Sequence, residues 1–264
     1  MRRFIASCGR TILTLLTYLG AVTVLAFETL QAVFISPLRW GLIMHQIIEL
    51  GARSQVVVVI TGAFTGAVFA AQIFFQFHTL GMESSVGALV AVAMCRELGP
   101  VLTGLMLAGR VGAAMSAEIG TMKVTEQIDA LRALAVHPVD YLVVPRAVGM
   151  LVSVPLLAGE CVFFGIAASY FVGVNILGIQ GAYYLQNMLK YMLPKDVFMT
   201  VIKGTVFGLL IVFVSCHQGL AAREGAVGVG RATTEAVVIS SLAILVSNFF
   251  LTLLLNVLFP VGSW

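Results

Sequence analysis

The chain has 264 residues, of which 60% are hydrophobic and only 10% are charged, and its mean hydropathy is +1.04. A soluble domain carries about 25% charged residues, so the 15 basic and 12 acidic residues here are too few to cover a globule of this size in water. The composition therefore excludes a soluble protein and predicts an integral membrane protein, and a net charge of +3 is too small to indicate a nucleic-acid partner.

The N-terminal stretch 11–27 is apolar and follows a basic start. At helical spacing Arg3 and Arg10 fall on one stripe and apolar residues such as Leu16 fall opposite, a pattern typical of a basic amphipathic helix in the membrane interface. We predict such an interfacial helix, with its linker, over residues 1–50. A sixth membrane span and a signal peptide are the alternatives, although no convincing cleavage site follows the apolar run.

Five further segments are apolar over about 20 residues, the length that crosses the hydrocarbon core as a helix. They are residues 55–77, 86–109, 141–174, 197–217 and 236–260. They predict an all-α membrane domain with five spans over residues 51–264. The third segment would be about 51 Å long as a helix, so it must tilt, kink or project beyond the bilayer.

The basic residues outside the spans are distributed unevenly. With five spans and a cytoplasmic N-terminus, the outer segments hold only Lys190 and Lys195, and nearly all other basic residues fall on the cytoplasmic side. This positive-inside bias predicts a C-terminus on the outer side. The four cysteines and four histidines lack metal-ligand spacing, so no metal site is predicted.

A small residue recurs at every fourth position through and beyond the second span. The row comprises Gly104, Ala108, Gly112, Ser116 and Gly120. On a helix these residues form a groove that lets another backbone approach closely. The row extends past Arg110, so we predict that this helix continues into the cytoplasm against a neighbouring helix.

Arg96 and Glu97 are the most costly residues to place in a membrane. Arg96 lies about 15 Å into its span, where an arginine costs at least about 2.5–3.5 kcal/mol. Adjacent helical residues point about 100° apart, so the two cannot simply neutralise each other. Pro100 also removes the hydrogen bond to the Arg96 carbonyl. These features favour a polar or ligand-lined cavity; the alternative is an interhelical ion pair, for instance with Glu160.

The connection 110–140 is the longest polar stretch. Thr125 is placed to cap a short helix, and Val124, Ile128 and Leu131 share one apolar face. A short amphipathic helix between two spans suits docking in a groove of a soluble partner, although it could instead rest on lipid headgroups.

Several enzyme motifs are missing from the sequence. No glycine is followed by lysine, so the chain has no Walker A loop, and it has no nucleophile elbow and no paired-carboxylate motif. We predict that it is not an enzyme and binds no cofactor of its own. If transport uses ATP, a partner ATPase binds the ATP and Mg²⁺.

Five sequence runs resemble the MlaE/YrbE family of permeases. They are RELGP at 96–100, AGRVG at 108–112, AEIGTM at 117–122, TEQI at 125–128 and GRATT at 230–234. The likeness covers about residues 50–258 and is densest over 86–136. It implies the permease subunit of an ABC transporter that moves phospholipids between the inner and outer membranes of a Gram-negative cell, maintaining outer-membrane lipid asymmetry.

The resemblance also implies partners and site residues. The expected assembly contains two copies of the chain, a cytoplasmic MlaF-like ATPase, an MlaB-like STAS-domain protein and a periplasmic MlaD-like MCE-domain hexamer, all in or at the bacterial inner membrane. Arg96, Glu97 and Arg231 match positions near the lipid headgroup. The short helix carrying Thr125, Glu126, Gln127, Ile128 and Leu131 matches the coupling helix that contacts the ATPase.

Two other functions stay open from the residues themselves. An ion-coupled secondary transporter would use Glu97 or Glu160 as the titrating group. A structural membrane scaffold would use the charges only for packing.

Overall fold

The computed structural model describes residues 2–35 and 39–258, and this part of the chain contains helices and no strand. Its helices are α1 (Arg2–Ile35), α2 (Trp40–His78), α3 (Glu83–Val124), α4 (Gln127–Ala133), α5 (Val139–Ile176), α6 (Gly181–Tyr191), α7 (Pro194–Ala221) and α8 (Gly225–Leu258). The prediction of an all-α integral membrane protein is confirmed. The five predicted spans lie within α2, α3, α5, α7 and α8, except for residues 259–260, which are outside the described part.

The first helix lies near the end of the bundle at which α7 ends. Tyr18 packs against His217 with ring centroids 5.0 Å apart, and Glu28 borders the same cavity as Leu220. These two observations place α1 beside the last turns of α7. This position suits an interfacial helix, which stays a prediction, because α1 is also long and apolar enough to be a sixth candidate span. The side chain of Arg3 lies outside the described residues.

Helices α2 and α5 pack backbone against backbone. Gly62 lies against Cys161 and Gly66 lies against Gly165, so the two helices run parallel. A Cβ atom added to Gly66 would be only 2.0 Å from the Gly165 carbonyl oxygen. Glycine is required here because any side chain would force the two helices apart.

Helix α3 is the central helix of the bundle and has 42 residues. At about 1.5 Å per residue it is about 63 Å long, which exceeds a hydrocarbon core of about 30 Å. It runs parallel to α7, with Gly104 against Phe207, and antiparallel to α8. The chain then turns through α4 into α5, which defines the α4 end of the bundle.

The opposite end carries α6, whose existence the sequence does not determine. Tyr184 of α6 is fully buried, and its hydroxyl donates to the Ser169 Oγ atom of α5 at 3.1 Å. Asn187 donates to the Ser84 carbonyl oxygen at 2.8 Å, which ties α6 to the start of α3. We call this the α6 end.

Candidate functional site

Arg96 and Glu97 lie within a π-helical turn, Met94–Leu98, inside α3. Pro100 has no N–H group, so the Arg96 carbonyl oxygen cannot receive the usual hydrogen bond from four residues further on. Lys203 of α7 instead donates to it from its Nζ atom at 2.7 Å. Such turns occur often at functional sites, and this one opens the helix backbone to side chains of α7.

Arg96 is paired with an acidic residue that sequence reasoning missed. Its Nε atom donates to the Asp196 Oδ1 atom at 2.7 Å. Asp196 has no exposed surface, and its other oxygen accepts a hydrogen bond from the Leu193 backbone N–H at 2.9 Å. The Arg96 side chain is still 23% exposed. Asp196 therefore holds this guanidinium in place while part of it stays accessible.

Glu97 is held by side chains from two other helices. Its Oε1 atom accepts hydrogen bonds from Lys203 Nζ at 2.9 Å and from Thr252 Oγ1 at 2.8 Å, and its Oε2 atom accepts one from Asn248 Nδ2 at 2.8 Å. Lys203 is only 1% exposed, whereas the Glu97 side chain is 39% exposed. We call Arg96, Glu97, Asp196, Lys203 and their hydrogen-bonding partners the charge network; its four charges sum to zero.

The expectation that Arg96 and Glu97 need separate partners agrees with this geometry, but the acidic partner is Asp196 rather than Glu160. Glu160 accepts a hydrogen bond from Gln55 Nε2 at 3.2 Å, and its Oε2 atom is buried with no hydrogen-bond partner. The sequence does carry a signal for these partners, because Asp196 and Lys203 are spaced to share one face of the otherwise apolar helix α7.

Arg231 does not join the charge network. It lies near the start of α8 and borders a cavity of about 220 Å³ together with Arg223 and Glu224. The nearest network residue of α8, Asn248, is about 25 Å further along the helix at about 1.5 Å per residue. The three residues expected at the headgroup are therefore divided between two places, Arg96 with Glu97 at one and Arg231 at the other.

The row of small residues in α3 lies against α7 and α8. Gly104 contacts Phe207 and Ile244, while Gly112 faces Ser215. Gly120 faces Ala222 and Val229, and both Ala108 and Ser116 have no exposed surface. Close packing along this row keeps α3 and α7 near enough for the charge network to form between them.

Helix α4 begins one residue later than the cap prediction implies. Glu126 adopts a left-handed conformation with φ 61°. The Thr125 hydroxyl donates back to the Thr121 carbonyl oxygen at 2.8 Å and makes no cap hydrogen bond to α4. The prediction that Thr125 caps this helix is wrong because the threonine ends α3 instead.

The apolar face of α4 packs on its own bundle. Ile128 is fully buried in the cluster that contains Leu142, and Leu131 is half-buried beside it. The surface that α4 leaves open consists of polar residues such as Gln127 together with Leu134, which is 73% exposed. Any partner that contacts α4 meets this surface and not the face carrying Ile128.

Comparisons with known proteins identify the chain. Residues 43–254 match the family model described as Permease MlaE. A Rickettsia conorii protein named "Probable ABC transporter permease protein" is 42% identical, over 93% of this chain and 95% of its own length. A Synechocystis protein with the same description is 41% identical, over 80% of this chain and 81% of its own length. The Arabidopsis thaliana protein TRIGALACTOSYLDIACYLGLYCEROL 1, chloroplastic, is 35% identical, over 88% of this chain and 66% of its own length. The chain therefore belongs to the MlaE permease family and is a multi-pass permease subunit of an ABC transporter.

Proposed function

We propose that this permease moves phospholipids between the inner and outer bacterial membranes and so maintains the lipid asymmetry of the outer membrane. The observation that carries the proposal is Arg96, which lies within a long apolar helix, is fixed by Asp196 through one nitrogen, and is partly exposed. A guanidinium has further donors in a planar fork that matches a phosphate group.

The name of one relative also supports a lipid substrate. The Arabidopsis protein carries a diacylglycerol lipid in its name. A two-chain lipid needs apolar walls beside a cationic group, and most of the large exposed side chains in the spans of this chain are apolar. We propose that Arg96 and Glu97 act at one end of the lipid path and Arg231 at the other.

The proposed assembly follows the family. Two copies of the chain lie in the inner membrane with the N-terminus in the cytoplasm and the C-terminus in the periplasm. They work with an MlaF-like ATPase that binds ATP and Mg²⁺, an MlaB-like STAS-domain protein and a periplasmic MlaD-like MCE-domain hexamer. In this orientation the α4 end is cytoplasmic and the α6 end is periplasmic, and α4 is the coupling helix.

Removing the Arg96 charge is expected to reduce the bound lipid. We use the double variant Arg96→Gln with Asp196→Asn, because it leaves no unpaired buried charge and so preserves the fold. Phospholipid copurifying with the assembled complex should fall several-fold, measured by mass spectrometry of extracted lipid. The control is Arg53→Gln, since Arg53 is exposed and lies away from the charge network. Unchanged lipid in a correctly assembled double variant would contradict the headgroup role.

Substitution on the open surface of α4 is expected to uncouple ATP hydrolysis from transport. Leu134→Gln removes an exposed apolar contact without disturbing the buried Ile128, so the complex should fold and hydrolyse ATP while moving lipid more slowly. The measurement is the ratio of lipid transferred to ATP hydrolysed in proteoliposomes. Leu80→Gln, equally exposed in the turn between α2 and α3, is the control. A normal ratio for Leu134→Gln would remove this residue from the coupling surface.

The same proteoliposomes test the ion-coupled alternative, which the unpartnered Glu160 oxygen favours. Lipid transfer that persists without the ATPase and stops when the proton gradient collapses would support that alternative and overturn the proposed coupling to ATP hydrolysis.

A further inference from the structure

Arg146 of α5 is a buried cation at the α4 end of the bundle. Its Nη1 atom donates to the Leu142 carbonyl oxygen at 2.7 Å, and its Nε atom is buried without a hydrogen-bond partner. Its Nη2 atom lies 2.7 Å from the Glu118 Oε2 atom of α3. We call the ion pair of Glu118 and Arg146 the α3–α5 clasp.

The α3–α5 clasp closes the helical hairpin that carries α4. Glu118 lies about 9 Å before the end of α3 and Arg146 about 11 Å after the start of α5, at about 1.5 Å per residue. Helix α4 is itself attached to both arms of the hairpin. Lys123 of α3 pairs with Asp129 at 3.2 Å, and Ile128 is buried in a cluster that includes the start of α5.

A second contact joins α3 and α5 near the charge network. A Cβ atom added to Gly99, which follows Glu97 by two residues, would be 2.3 Å from a methyl carbon of Val162 in α5. This contact and the α3–α5 clasp are about 29 Å apart along α3. The two helices are therefore joined at the α4 end and again at the level of the charge network.

Separation of the α3–α5 clasp is unfavourable because its two side chains are buried to different extents. The Glu118 side chain is 59% exposed and can be solvated alone, whereas the Arg146 side chain is 5% exposed. Without Glu118, Arg146 would be a buried charge that has lost its acidic partner, which is strongly destabilising. We therefore expect the ends of α3 and α5 at α4 to move together.

We propose that Glu118 is a positioning residue for the coupling of ATP hydrolysis to transport. Its pair with Arg146 makes α3, α4 and α5 a single lever, so that a displacement of α4 by the ATPase reaches Arg96 and Glu97 further along α3. The proposal rests on the proposed role of α4 as the coupling helix, and it adds the ion pair through which the motion of α4 is transmitted.

The test uses the double variant Glu118→Gln with Arg146→Met in the assembled transporter. No buried charge is left unpaired, so the complex should fold and hydrolyse ATP at close to the wild-type rate. Coupling between distant sites is typically about fivefold or more, so the lipid transferred per ATP hydrolysed in proteoliposomes should fall about fivefold. The matched control is Glu49→Gln with Arg53→Met, which removes an ion pair within α2 and should keep the wild-type ratio.

A second variant keeps the test decisive if the double variant does not assemble. Glu118→Asp retains the charge but withdraws the carboxylate from Arg146 by one methylene group, so the pair is weakened and the ratio should fall about twofold.

An unchanged ratio in the double variant, or in Glu118→Asp where the double variant does not assemble, would overturn the lever and leave the proposed function standing. That result, together with a lower unfolding midpoint, is what a purely structural ion pair would give. A wild-type complex that hydrolyses ATP and moves no lipid would overturn the proposed function itself.

Discussion

Replacing Lys203 by methionine is expected to destabilise the protein strongly. Lys203 donates to the Arg96 carbonyl oxygen that Pro100 leaves free, to Glu97 and to Thr252, and it is almost fully buried. Removing one member of a buried ion pair costs about 3–5 kcal/mol because the other charge is left uncompensated. The partial exposure of Glu97 places the expected loss near the lower value.

The measurement is the thermal unfolding midpoint of the purified complex in detergent, together with its yield as a single species. The control Lys123→Met removes an ammonium whose ion pair with Asp129 is at the surface, where such pairs contribute about 0–1 kcal/mol. If Lys203→Met and the control had the same unfolding midpoint, the charge network would not stabilise the fold.

A second variant separates stability from transport. Lys203→Met combined with Glu97→Gln removes both charges and keeps an amide at position 97, which can still hydrogen-bond to Asn248 and Thr252. We expect most of the lost stability to return, although the Arg96 carbonyl oxygen stays without its donor. If the charge network serves only as a scaffold, this double variant should transport lipid at the wild-type rate. If the network takes part in the lipid path, the transport rate should stay below the wild-type rate even though stability returns.

Gly66→Ala is expected to give the second large effect. The new methyl group would be 2.0 Å from the Gly165 carbonyl oxygen and 2.5 Å from its carbon, so backbone atoms would have to move. Overpacking of a well-packed interior costs about 1–3 kcal/mol and occasionally more. Contact with a rigid backbone places this change at or above the top of that range, since no side chain can rotate away.

The effect should appear as a lower unfolding midpoint and a lower folded yield. Gly159→Ala is the matched control on α5, because a Cβ atom there has no neighbour within 4 Å. Both variants gain the helix propensity of alanine, about 1 kcal/mol at most, so the control isolates the cost of the backbone collision. Equal midpoints for the two alanine variants would mean that α2 and α5 do not pack as closely as described.

Some parts of the site could be predicted from the sequence and others could not. Arg96, Glu97 and Pro100 attract attention in the sequence because a charge or a proline in an apolar helix is costly wherever its neighbours lie. Asp196 lies in the first turn of α7, just before the predicted span, so by sequence it could equally have been a solvated loop residue. Its pairing with Arg96 depends on the register between α3 and α7, which hydropathy does not report.

Helix α4 shows the same limit. Its apolar residues are visible in the sequence, but spacing cannot distinguish a face that meets a partner from one that meets the parent bundle. Burial of Ile128 decides this in favour of the bundle, and Leu134 becomes the exposed contact. Arg231 likewise lies in a run that matches the family, GRATT at 230–234. Its distance from Arg96, however, follows from the length and direction of α8, which the run does not report.

The sequence by itself determined the membrane location, the helical architecture and the two intramembrane charges, because each follows from the cost of placing a residue type in hydrocarbon. The tertiary structure alone decided which side chains satisfy those charges, how closely the glycine faces approach, and that α6 packs on one end of the bundle. These features depend on the relative positions of separate helices, and such positions come from packing of complementary surfaces and not from the local preference of any one segment.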